Sequence, residues 1–341
     1  MKLTWMAVAC CLFAMPATVL AQDEEPGFDQ LVATFQRPYL TIGTLMQAVA
    51  DFQIERTVVG SNGFLLGNAR LRLSGELDNG FGYLFQTNFT DGPAILDAQI
   101  KYRFSGTVAM SAGQFKAPFS YEFLTYGGSI DFVNRATMVT ALAPGRQVGA
   151  DVTLGRNDGP ATLTAGIFNG NRIFTSGNDG NGMMVAARAA GRPIRADGDG
   201  SPELLVGANI AFSRDSDVLI PGVSTSFAGD RTLVGADARL TIDRLVVSGE
   251  FIYAHLETTA GATTEPWGFH TTAGYMLTPK MQALVRWDQL RSVTNPTSHV
   301  LLLGYNVWPT KATEIQVNYL IDTDDATFDH HQLLVNFQLG F

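Results

Sequence analysis

The sequence predicts an all-β fold, a transmembrane antiparallel β-barrel of about 16 strands with one long constriction loop. Three observations carry this. Apolar and polar residues alternate with period two in segments of about ten residues, the length of a tilted strand crossing a bilayer. The connections between these segments alternate between short and long, as in outer-membrane barrels. The composition fits neither a soluble enzyme nor a helical bundle: of 341 residues 46% are hydrophobic, only 16% are charged and 35 are glycine, with a mean hydropathy of +0.09. Soluble domains average about 25% charge. Strands with one lipid face and one water face account for both numbers.

Taken in chain order, residues 1–21 read as a secretory signal, with Lys2 at the start, a mostly apolar run from Leu3 to Leu20, and Val19-Leu20-Ala21 before a cut near Ala21. Asp23-Glu24-Glu25-Pro26 follows at once, which argues against a first spanning helix. Both cysteines, Cys10 and Cys11, fall inside this segment. Cleavage would leave a mature chain without disulfides or thiolate ligands. Residues 22–38 form a short acidic lead-in and 39–341 the barrel. No other stretch has the 18 consecutive apolar residues of a spanning helix.

Seven strands stand out by alternation. In 66–77, Ala69, Leu71 and Leu73 alternate with Arg70, Arg72, Ser74 and Glu76. In 95–104, Leu96, Ala98, Ile100 and Tyr102 alternate with Gln99, Lys101 and Arg103. The same pattern marks 146–154, 232–242, 267–277, 312–321 and the C-terminus, where Leu333, Val335, Phe337, Leu339 and Phe341 share one face. Weaker patterns at 40–55, 81–89, 107–115, 161–169, 183–190, 204–213, 245–255, 281–290 and 298–307 complete an even number.

Short connections are Leu77–Gly80, Ser105–Gly106, Asn157–Pro160, Asp243–Arg244 and Thr278–Lys280. Long ones are expected at 116–145, 170–182, 214–231, 256–266 and 322–330. Trp267, Trp287, Trp308, Tyr102, Tyr253 and Tyr319 fall near predicted strand ends, as in interfacial girdles. Backbone polar groups have no partner in hydrocarbon, so the sheet must close. About 16 strands close around an aqueous channel.

The formal net charge is −9 and the pI about 5.0, which excludes nucleic acid as a main partner. Parity then assigns sides. Arg70, Arg72, Lys101 and Arg103 fall on the polar faces of neighbouring early strands and form a basic wall, with Glu76 as the only clear acid there. Elsewhere the signs are mixed, with Arg188, Arg239 and Arg286 against Asp237, Glu250, Asp288 and Glu314. Arginine outnumbers lysine by 18 to 5, and its fork matches phosphate and carboxylate. The longest connection, 116–145, brings Lys116, Arg135 and Arg146, Glu122 and Asp131, and the aromatics Phe119, Tyr121, Phe123, Tyr126 and Phe132. A loop of that length is usually functional, and this one is expected either to fold into the lumen or to pack on a neighbouring protomer.

Gly113-Gln114-Phe115-Lys116-Ala117-Pro118-Phe119-Ser120-Tyr121-Glu122 resembles the G-[KQ]-F-K-x-P-F-x-x-E segment of the phosphate-selective porin O and P family. Ala141-Leu142-Ala143-Pro144-Gly145-Arg146-Gln147-Val148-Gly149 resembles its A-L-A-P-G-R-x-x-G segment, and Gly166-Ile167-Phe168-Asn169-Gly170 its G-x-F-N-G strand end. The resemblance implies a 16-stranded outer-membrane barrel, a homotrimer, and a narrow pore lined by arginine and lysine that passes phosphate or other small anions without catalysis. The terminal Phe341 resembles the signal read by the barrel-assembly machinery, and outer-membrane lipid is the surrounding partner. Family members noted for phosphate binding carry a dense arginine ladder, whereas the charges here are mixed.

Three other readings stay open: a general, weakly selective porin, a structural or plugged barrel, and a barrel enzyme. The last lacks a G-x-S-x-G motif, and its five histidines, His255, His270, His299, His330 and His331, are scattered. No cofactor or metal is expected. Asp197-Gly198-Asp199-Gly200-Ser201 and Asp322-Thr323-Asp324-Asp325 read as solvated loops rather than Ca²⁺ sites.

Overall fold

A computed structural model describes residues 30, 33–53, 62–156, 158–172, 177–178, 180, 182–221, 223–292, 297–324 and 327–341. The expected signal at 1–21, with Cys10 and Cys11, lies outside the described residues, as do most of the lead-in, Asn157 and Asp325. Among the described residues there are sixteen strands of eight residues or more. They are β1 (Leu40–Gln53), β2 (Gly63–Glu76), β3 (Phe81–Asn88), β4 (Ala94–Arg103), β5 (Val108–Lys116), β6 (Arg146–Gly155), β7 (Ala161–Phe168) and β8 (Met184–Ile194). They continue as β9 (Glu203–Ile220), β10 (Ser224–Ile242), β11 (Leu245–Thr258), β12 (Trp267–Thr278), β13 (Met281–Arg291), β14 (Ser298–Val307), β15 (Thr313–Asp322) and β16 (Gln332–Gly340). Two-residue ladders at Gln36–Arg37 and Thr263–Thr264 extend the sheet at its margins.

Each strand pairs antiparallel with the next, and β16 returns to β1 in a register running from Gln332 opposite Gln53 to Gly340 opposite Leu45. The sheet is therefore closed, and the Thr44 N–H donates to the Phe341 carbonyl at 3.0 Å beside the seam. The parity of the sequence holds along most strands. Ile100, Val152, Leu163, Ile210, Val234 and Phe337 are exposed on the outer face, while Asn336 is fully buried inside and donates to Gln316 at 2.9 Å. Phe81, Tyr102 and Phe104 are in ring contact at one rim, and Phe251, Trp267 and Phe269 at the other. Both rims thus carry aromatic girdles.

One expectation fails. Residues 214–231 are not a long loop: β9 continues to Ile220 and β10 starts at Ser224, with the register running on through Asp215–Gly229 and Val218–Phe227. The polar run Arg214-Asp215-Ser216-Asp217 hides the strand. Outside the bilayer a strand needs no lipid face, and Arg214 and Asp230 pair across this ladder at 2.6 Å.

Gly113 explains one of the quoted motifs. It sits inside β5 with φ +126°, and a Cβ there would be driven into the Ala98 carbonyl oxygen of β4. Only glycine takes this conformation without strain. Gly113→Ala should cost about 1–3 kcal/mol, read as a lower midpoint of thermal unfolding in detergent. An unchanged midpoint would show that β4 and β5 relax freely at this point.

Candidate functional site

The connection between β5 and β6, residues 117–145, turns into the barrel. Its two short helices, α1 (Tyr121–Leu124) and α2 (Thr137–Leu142), present an apolar underside. Phe119, Ala136, Met138 and Leu142 pack against Phe168, Met184, Leu233, Ile252, Leu256 and Leu290 in the largest core of the molecule. Phe132 joins Leu284 and Leu302 in a second cluster. Burying each large side chain contributes about 1.5–3 kcal/mol. Here the expectation that inward positions meet water is corrected: along β8–β13 many of them are apolar because they meet the loop.

The loop's backbone is bound to the same side of the barrel. Ser120 N–H donates to Asn209 at 3.1 Å, Glu122 N–H to Glu250 at 3.1 Å, Val133 N–H to Asn318 at 2.8 Å and Thr137 N–H to Asp288 at 2.7 Å. The carbonyls of Gly128, Ile130 and Asp131 accept from Gln338, Gln316 and Asn306. Buried backbone groups need such partners, and the inward Asn, Gln and acidic side chains of β9–β16 supply them.

Charge pairs complete the attachment. Arg286 Nη2 donates to Glu122 Oε1 at 2.6 Å while its guanidinium lies 4.4 Å from the centre of the Phe132 ring. Arg239 pairs with Asp131 at 3.0 Å. Arg188 forms a two-pronged pair with Asp237, at 2.5 and 2.8 Å, and also donates to Asn209. Burial pushes the Glu122 carboxyl up, but the Arg286 guanidinium and the Ala136 N–H outweigh it and hold Glu122 below the usual carboxylate range. Arg188, Arg239 and Arg286 are thus spent on wall and loop acids.

The wall formed by β2–β6 is arranged differently. Arg70 Nε donates to Asn68 at 2.6 Å, and its guanidinium lies against the loop at Gly127. Arg72 lies over the Tyr126 ring, 5.8 Å from its centre. Lys101 stands opposite Ser111 of β5. Among the described residues, none of Arg70, Arg72 and Lys101 has a carboxylate at ion-pair distance. Arg103 pairs with Glu76 at 2.9 Å in the open at the short-turn end. Arg146 forms a two-pronged pair with Asp97, both bonds 3.0 Å. Glu76 is therefore not the only acid on this wall. Asp97 shares the parity of Lys101, a signal present in the sequence, and Asp151 lies opposite Ser111 on the next pair of strands.

Lys116 and Arg135 serve the loop itself. Lys116 Nζ donates to the carbonyls of Phe123, Leu124 and Thr125 at 2.6, 3.2 and 2.9 Å, which uses all three of its hydrogens. Arg135 donates to the carbonyls of Glu122 and Thr125 at 3.0 and 2.7 Å. Two cations therefore cap the last carbonyls of α1. The charge of Arg135 stays beside Arg70, which feels the repulsion of both Arg135 and Arg146. Between loop and basic wall lies a cavity of about 520 Å³, lined by Gln47, Asn68, Arg70, Asn134, Arg135 and Thr137 among others.

The sequence profile of the phosphate-selective porin O and P family matches residues 45–334. No curated protein matches the chain in sequence. Among solved structures, the anion-selective porin from Comamonas acidovorans superposes with a TM-score of 0.66 at 14% identity, covering 89% of this chain and 99% of that one. The trimer form of OmpT from Vibrio cholerae gives 0.62 at 10% identity, with 89% and 99% covered. OprB of Pseudomonas putida gives 0.61 at 11%, with 92% and 96% covered. At these identities the likeness is one of fold. The family match, which spans the closed barrel and its inward loop, is decisive: the chain belongs to the phosphate-selective porin O and P family, porins of the bacterial outer membrane.

Proposed function

We propose that the barrel passes small solutes by passive diffusion with a preference for small anions, phosphate among them, and performs no catalysis. One observation carries this reading. The acids where loop and wall meet, Glu122, Asp131, Asp237, Glu250 and Asp288, are engaged with arginines or with loop N–H groups, and Glu314 accepts from Gln338. Arg70, Arg72 and Lys101 on the open wall have no carboxylate partner among the described residues. The field in the remaining opening is set by unneutralised cations, which raises the local concentration of anions. Asp97 and Asp151 on the same wall temper that field, so the preference is graded rather than absolute. The likeness to a Comamonas porin that is anion-selective supports the same direction.

The functional unit we propose is a homotrimer in outer-membrane lipid, exported through the signal at 1–21 and assembled through the Phe341 end by the barrel-assembly machinery. The trimer form of a structural neighbour supports the oligomeric state.

The test is the reversal potential of the purified protein in a planar bilayer across a KCl gradient. The potential should take the sign of chloride permeation, and added phosphate should lower chloride conductance. A potential of the potassium sign would overturn the proposal.

A further inference from the structure

The outer face of β11–β13 carries a groove of about 820 Å³ at the ends that enter the long connections, which is the extracellular side of such barrels. Register sets Tyr253, Trp267 and Arg291 in one row across the three strands, and Phe251, Phe269 and Gln289 in the row below. Leu290 is buried on the inner face, so its neighbour Arg291 points outward. Trp267 and Phe269 are stacked, with planes 9° apart and centres 6.4 Å apart, and Phe251 lies 6.2 Å from Trp267. The floor is thus an apolar aromatic platform at girdle level, with the Phe251 ring tilted 40° to Trp267, and a guanidinium stands at its rim.

The acid lining the groove, Glu265, is already engaged. Its carboxylate lies 3.4 Å from His255 Nδ1. Arg291 makes no ion pair among the described residues. A lipid-facing arginine without a counter-charge is unfavourable unless it meets an anion at the interface. The anions at that depth are headgroup phosphates of the outer leaflet, and Arg binds phosphate with two parallel hydrogen bonds. The ring faces below suit the apolar side of a sugar and the start of acyl chains.

We propose that this groove seats a phosphorylated glycolipid of the outer leaflet, with its phosphate on Arg291 and its sugar and first acyl carbons over Trp267 and Phe251. The site is outside the pore and does not depend on the ion preference proposed above.

The test uses the full-length protein in phosphatidylcholine nanodiscs, titrated with diphosphorylated lipid A and read by native mass spectrometry. Arg291→Gln should weaken binding about tenfold, Trp267→Ala should also weaken it, and Arg291→Lys should retain part of it. Inorganic phosphate at the same concentration should not compete, and single-channel conductance of Arg291→Gln should equal that of the parent, which shows that the barrel is intact. Lipid A binding unchanged in both Arg291→Gln and Trp267→Ala, or full displacement by inorganic phosphate, would overturn the assignment.

Discussion

Replacing Glu122 by alanine is expected to unseat the constriction loop, raising single-channel conductance severalfold and adding slow fluctuations between conductance levels. Glu122 is buried and ties three elements together. It accepts from Arg286 at 2.6 Å and from the Ala136 N–H at 2.9 Å, and its own N–H donates to Glu250. Removing one partner of a buried pair costs about 3–5 kcal/mol, mostly because the surviving charge is stranded. That is comparable to the burial of two large apolar side chains of the loop, so the loop becomes mobile while the barrel, closed by its own ladder, stays folded. Arg286→Ala should act alike, and the double variant should cost much less than the sum. A conductance unchanged in both single variants would show that Phe119, Phe132 and Met138 hold the loop without the ion pair. The same attachment has a pH signature. The Glu122 carboxyl is held below its ordinary value in the folded state, so its stabilisation is complete above the normal carboxylate range. It is lost as pH falls through that depressed value. The part of the channel noise that depends on Glu122 should therefore appear at strongly acidic pH, and Glu122→Gln should remove that part.

The closed barrel is legible because one physical rule, a lipid face on every strand, writes a period of two into the whole chain. The alternation of Leu71 with Arg70 and Arg72, or of Phe337 with Asn336 and Gln338, states which side is wet. The rule lapses where its cause lapses. Beyond the bilayer it does not govern 214–231, so the polar stretch there reads as a loop although it is strand. Inside the lumen it fails again, since Leu233, Ile252 and Leu290 face inward yet pack on the loop rather than water. The inward fold of 117–145 is foreshadowed by its aromatics, but its partners are not, because pairs such as Glu122 with Arg286 are separated by many strands. Parity alone would put Lys116 and Arg146 outside, out of phase with inward Ser111 and Asp151 along β5 and β6, and it is their place at the two ends of the long connection that points inward. At the strand ends the chain turns with the loop, and Arg146 reaches Asp97 inside the barrel.

The division between spent and unspent cations leads to the second large effect. The triple variant Arg70→Gln, Arg72→Gln, Lys101→Gln is expected to abolish the anion preference, whereas Arg188→Gln and Arg239→Gln are expected to leave it nearly intact and lower the thermal midpoint instead. A unit charge about 8 Å from a permeating ion contributes about 0.5 kcal/mol in water. Three such charges favour an anion by about 1.5 kcal/mol and disfavour a cation by as much, which changes their relative occupancy by about a hundredfold. Arg188 and Arg239 are neutralised at 2.5 and 3.0 Å by Asp237 and Asp131, so each pair presents little net field, and its loss strands a buried acid rather than removing a lure. Arg72 also rests on Tyr126, so Tyr126→Ala should free its guanidinium and widen the opening, raising conductance while the sign of selectivity persists. Because the free charges face water, the preference should shrink as salt rises and the Debye length falls from about 10 Å at 0.1 M to about 3 Å at 1 M. Reversal potentials of these variants at low and high salt test the division. Equal loss of selectivity in the paired and unpaired sets would mean that the total number of cations, rather than their freedom from acids, sets the field.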